Sequence, residues 1–168
     1  ALDLLGRKVL LGTRGKCVRD FTGEILRFAK PHALSRGPLG KMARSLIWRS
    51  LQWNLLTTRL MMRSAKDRDQ VGASSVDYLM YSGYVMMGYH WALQAAKASE
   101  LLGSGAGQAP EEFYRTKIHT AEFYFARLLP RADAHQRLAM ASTKSLLQID
   151  KAHMQIDCGL LLAKKAAG

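Results

Sequence analysis

The chain has 168 residues, 48% of them hydrophobic and 23% charged, which is enough for one compact domain with a buried core and too apolar for a disordered chain. Its net charge of +12 is uneven: residues 1–66 carry fourteen Lys and Arg against three acids, residues 67–168 eleven against ten. The two cysteines, Cys17 and Cys158, have no second Cys or His at a zinc-site spacing, which speaks against a metal site and for a reduced, cytoplasmic setting.

Apolar residues recur at steps of three and four, so helices are expected throughout. Residues 2–11 (LDLLGRKVLL) read as the last turns of a helix that begins before Ala1, broken by Gly6 and closed by Gly12. A second helix from about Arg14 to Ala29 sets Val18, Phe21, Ile25 and Phe28 on one face, and Pro31 is expected to stop it. PHALSRGP then connects to a long third helix from about Leu39 to Lys66. Its stripe is Leu39, Met42, Leu46, Trp53, Leu56 and Leu60, widened by Trp48, Leu51, Leu55 and Met62, a breadth that calls for more than one packing neighbour. Arg44, Arg59, Arg63 and Lys66 lie off the stripe and should be solvated. No acid occurs between Glu24 and Asp67, while Arg27, Lys30, Arg36, Lys41 and Arg49 add to the same basic field, which would attract an anionic partner.

After Gly72, Ser74 and Ser75 are placed to cap a fourth helix reaching about Leu102, with Asp77 in its first turn. The nineteen residues from Tyr78 to Ala96 carry no charge, long enough to raise a membrane span. Ser82, His90, Gln94 and four tyrosines argue instead for a central helix enclosed by others. GSGAGQAP (103–110) is a turn, and Pro110 followed by Glu111 and Glu112 opens a fifth helix. That helix aligns Tyr114, Ile118, Ala121, Phe125 and Leu128, with Glu111 and Arg115 as a surface pair. Pro130 either kinks it or separates it from a sixth helix running to about Ile149, and the unbroken phase favours the kink. LLLAKKAAG closes the chain as a frayed end. The sum is an all-α, up-and-down helical bundle of about five to six helices.

The residues that chemistry needs are scattered. A di-iron bundle requires Glu-x-x-His pairs, and no Glu here has a His three residues later. His90 is expected to be buried, bonded to a tyrosine or a carbonyl rather than to a metal, and His119 with Glu122 reads as a surface pair rather than an acid and base. Cys17, between Lys16 and Arg19, is at most a somewhat acidified thiol. GTRG (12–15) lacks the lysine of a phosphate loop and follows no strand, and SGAG (104–107) is a linker. Trp48 and Trp53 fall on or beside an apolar stripe, so core packing claims them, and without a reading element no nucleic-acid partner is expected. The eight methionines read as core fillers. No residue is assigned a catalytic or metal-binding role.

Two segments carry a resemblance. ALDLLGRKVL closely resembles the segment after the catalytic-glutamate loop of bacterial acyl-CoA dehydrogenases, and FYRTKIHTAEFYFARLLPRADA (113–134) resembles a helix of the C-terminal domain appended to long members of that family. The resemblance implies a parent flavoprotein that oxidises the α,β bond of a fatty acyl-CoA, with FAD as cofactor. It implies as partners the remainder of that enzyme, its acyl-CoA substrate and further subunits of a homo-oligomer. Residues 1–12 would end the dehydrogenase's own helical domain, 13–155 form the appended bundle and 156–168 a tail. The glutamate loop would precede Ala1 and the β-domain has no counterpart here, so no catalytic residue carries over and the expected role is structural. The alternative is an independent basic helical module that binds an anionic membrane or an acidic protein.

Overall fold

The computed structural model describes residues 1–148, and among these every regular element is a helix. A π-helix over Asp3–Gly12 is followed by α1 (Lys16–His32), α2 (Pro38–Ser64), α3 (Asp69–Ser104), α4 (Glu111–Phe123), α5 (Ala132–Ala139) and a short α6 (Lys144–Leu147). The protein is an all-α up-and-down bundle in which α1 packs on α2, α2 on α3, and α4 and α5 on α3. The tail at 156–168, the end of the last helix at Ile149, His153 and Cys158 lie outside the described residues.

The opening apolar run is wound as a π-helix, and its wider turn brings Leu5, Val9 and Leu10 into the same core as the long helices. Thr13 ends it by donating its hydroxyl to the Lys8 carbonyl at 3.1 Å. Gly15 then turns the chain with φ +75, and Thr57 Cγ2 would lie 3.3 Å from any Cβ there, so both the backbone and the space favour glycine. In α1 the expected stop at Pro31 gives way: the helix runs on to His32 with the proline inside it. A proline in the last turn forfeits one hydrogen bond, and the chain stays helical up to Ala33. Pro38 occupies the first turn of α2, where a missing N–H costs nothing.

The start of α3 is earlier than the serines suggested. Asp67 Oδ1 accepts the Asp69 backbone N–H at 3.0 Å, and the helix begins there. Ser74 and Ser75 are therefore buried within it and cap nothing. Ser74 instead donates to the Ala139 carbonyl at 2.6 Å, tying α3 to α5. Asp77 is likewise displaced from the first turn into the helix body.

Pro130 does kink the helix it interrupts. A π-turn over Tyr124–Leu128 and a 3-10 turn over Leu129–Arg131 take up the lost hydrogen bond and the ring, and α5 continues beyond. Alanines at 92, 95, 121, 132 and 139 are buried on the facing sides, which lets α4 and α5 lie close to α3. The centre is aromatic: Phe21 meets Trp53 and Tyr89 edge-on at centroid distances of 6.0 and 5.9 Å. No helix of the described residues is long and apolar enough to cross a membrane.

Candidate interaction surfaces

α2 carries both the polar spine of the bundle and its most exposed apolar ridge. On the inner side Trp53 Nε1 donates to the Tyr78 hydroxyl at 3.1 Å. Thr57 commits its own proton to the Trp53 carbonyl at 2.8 Å, so Tyr78 donates to Thr57 Oγ1 at 2.7 Å and the loop closes. Burial pushes the Tyr78 phenol up to about 12, against the hydrogen bond from Trp53 that pulls it down.

One turn away, Arg49 is 7% exposed and its guanidinium grips Asp133 of α5 in a two-pronged ion pair, Nη2 to Oδ2 at 2.8 Å. Gln52 accepts from the same guanidinium at 3.0 Å, and Tyr81 donates to the Arg49 carbonyl at 3.0 Å. The hydrogen bond from Arg49 holds the Asp133 carboxyl below the ordinary carboxylate range. A second cross-link joins His135 Nδ1 to Asp77 Oδ1 at 2.8 Å, with the imidazole stacked on Tyr84.

Sequence reasoning found neither pair, since their partners lie far apart along the chain. The signal for Arg49 was nonetheless present: it lies three residues after Leu46 and four before Trp53, on the inward stripe. Arg44, Arg59, Arg63 and Lys66 are exposed as expected. His90, expected in the core, is exposed, because a helix with few charges still has an outer side. His119 and Glu122 are both exposed on α4, and no hydrogen bond or ion pair joins them. Cys17 is an exposed free thiol whose Sγ lies 3.1 Å from Thr13 Oγ1. Among the described residues no three His, Cys, Asp or Glu side chains come together to hold a metal ion.

Trp53 lies in the core as expected, but Trp48 does not. Trp48, Leu51, Leu55 and Met62 are 60%, 54%, 46% and 59% exposed. At about 100° per residue they fall opposite Trp53 and Leu60, so they form an outer ridge rather than a widened core stripe. Arg44 and Arg59 flank it, both exposed. α1 and α3 are the neighbours that the breadth of α2 calls for, and both pack on its inner side, so the ridge stays exposed.

Three clefts open on the surface. One of about 330 Å³ lies between α2 and α4, walled by Pro38, Lys41, Met42, Glu122 and Phe125. The others, of about 250 and 430 Å³, lie between α1 and α2 and beside Arg63, Lys66 and Lys144. They do not fit a flavin. Phe125 is the one aromatic ring in their walls, so none of the three holds a planar ring between aromatic faces.

The family described as acetyl-CoA dehydrogenase C-terminal like matches residues 21–150. This chain belongs to that family of acyl-CoA dehydrogenase C-terminal domains. It is similar to the 3-methylmercaptopropionyl-CoA dehydrogenase of Ruegeria pomeroyi, 32% identical over 146 residues. The match takes in 82% of this chain and 23% of the relative, so the chain spans under a quarter of that enzyme's length.

Proposed function

We propose that the chain is the C-terminal helical part of an FAD-dependent acyl-CoA dehydrogenase, where it serves structure and oligomer assembly and holds no catalytic residue. The observation that carries this is the α2 ridge. Four large apolar side chains stand in water opposite a complete core, which disfavours an isolated domain and favours one laid against a larger body. The relative's remaining length supplies a body of the right kind.

Residues 1–12 then descend from the end of the dehydrogenase's own helical domain, 13–155 are the appended bundle and 156–168 a tail. Leu5 and Val9 are buried with the long helices, so that first boundary is one of ancestry and not of packing. In the parent, bound FAD supplies a hydride acceptor for the oxidation of an acyl-CoA such as a fatty acyl thioester. What this chain contributes is a fixed wall: α2 faces the enzyme body, with Arg59 beside the ridge available to its acidic groups or to CoA phosphates, while Arg44 holds the Ala33 and Ser35 carbonyls. Among the described residues neither a poised carboxylate nor a flavin cleft arises, so proximity catalysis has nothing to work with there.

The intact mass of the polypeptide in its source cell tests the reading. A species several times larger than 18.7 kDa that contains these residues after a glutamate-bearing loop supports it, and a native product of 18.7 kDa overturns it.

A further inference from the structure

A second outer face lies on α3, the helix that carries no charge between Tyr78 and Ala96. Val76 is 62% exposed, Leu79, Met80 and Met86 are each 40% exposed, and Met87 is 49% exposed. At about 100° per residue they point away from the Tyr78, Tyr81 and Val85 side that meets α2. The face is therefore turned away from the α2 ridge. A free helix surface in water normally carries charges along its outer side, and this one replaces them with Leu and Met.

Its pattern has a centre. A Cβ placed on Gly83 would meet no atom within 4 Å, so the backbone there is open to close approach. Met80 and Met86 stand equally far from Gly83 along the chain, as do Leu79 and Met87. Asp69 and Lys97 are likewise equidistant from it, one acid and one base, both exposed and on the same side of the helix, Lys97 meeting Glu100 of its own helix at 2.7 Å in an exposed pair that it would exchange for Asp69. A two-fold axis through an antiparallel helix pair brings each residue before the centre against its counterpart after it. Such an axis at Gly83 sets methionine and leucine against methionine in the middle and Asp69 against Lys97 at both ends. The neutral middle matters as much as the ends, because any charge close to the axis would face its own copy. A crossing near 20° keeps the end groups within reach of a lysine side chain over about 42 Å of helix.

We infer that α3 is a self-association surface, on which a second copy of this chain packs antiparallel with Gly83 on the dyad. The inference deepens the assembly role proposed above by naming the surface, but the contact belongs to this chain and does not depend on the flavoenzyme reading.

Sedimentation of the full 168-residue chain over a range of concentrations tests it. A reversible monomer–dimer equilibrium is expected, shifted at least tenfold toward monomer by Met87→Glu with an unchanged circular dichroism spectrum, and untouched by Trp48→Glu. Asp69→Lys and Lys97→Asp should each weaken the dimer, and the two together should restore it. With Cys17 and Cys158 replaced by serine, Gly83→Cys should oxidise to a covalent dimer. A chain that stays monomeric at every concentration overturns the inference, as does a dimer broken by Trp48→Glu and indifferent to Met87→Glu. The mass measurement above is independent: a monomeric chain leaves the flavoenzyme reading to that result, and a small native product leaves the dimer standing.

Discussion

Arg49 enters α2 between Leu46 and Trp53 on the core side, so its guanidinium turns inward, and Asp133 is the carboxylate that meets it. Removing the acid strands a buried cation with an Nε that already lacks a partner. Asp133→Ala should therefore cost about 1–3 kcal/mol in urea unfolding, more than an ordinary surface pair, and Arg49→Met with Asp133→Leu should recover most of it. The pH dependence has a definite sign. Asp133 titrates lower in the folded chain, so its contribution is full above the unfolded value of about 3.9 and is lost as pH falls through the folded one. Melting temperatures of wild type and Asp133→Asn should converge as pH drops below about 4. At the alkaline end, burial pushes Tyr78 and Tyr124 to about 12. Neutral phenols then stabilise the fold fully below the unfolded value of about 10, and that stability is lost as pH rises from there toward the folded value. Phenolate absorbance and loss of helical dichroism should rise together in that window.

The helices were legible in the sequence where local chemistry decides them. Pro38 and Pro110 stand at the start of α2 and immediately before α4, and the Glu111–Arg115 pair forms at 3.2 Å. What escaped needed tertiary knowledge. Ser74 and Ser75 are good capping residues, but Asp67 had already opened the helix, leaving their hydroxyls to bond the Ala139 and Gly72 carbonyls. Trp48 and Trp53 have equal claims to a core by residue type, and only the placement of α1 and α3 separates them. That separation is measurable. Acrylamide should quench Trp48 strongly in the isolated chain, a signal abolished by Trp48→Phe, and much less once the α2 ridge is covered in the intact enzyme. The turn before α2 is held more tightly than its sequence suggests. A Cβ on Gly40 would run into the Ser35 carbonyl oxygen, so Gly40→Ala should destabilise the fold by about 1–3 kcal/mol, read from chemical denaturation.

Among the described residues, one core is enclosed by α1, α2, α3 and α4 with α5, and two apolar faces lie outside it, the α2 ridge and the α3 surface. The all-α bundle followed from periodicity, and the family followed from two short segments in the right order. The outer faces did not, because exposure is a property of which neighbours a chain supplies, and among the described residues α2 and α3 are not covered on both sides. On the function proposed above, a domain built this way lends surface and rigidity, and proton abstraction and hydride transfer belong to residues elsewhere in the enzyme. The most direct test is to mix the purified chain with FAD, remove free flavin and add an acyl-CoA thioester while recording the flavin absorbance. The account predicts a colourless protein with nothing to bleach. A yellow protein holding flavin in equal proportion, bleached by the thioester, would contradict it.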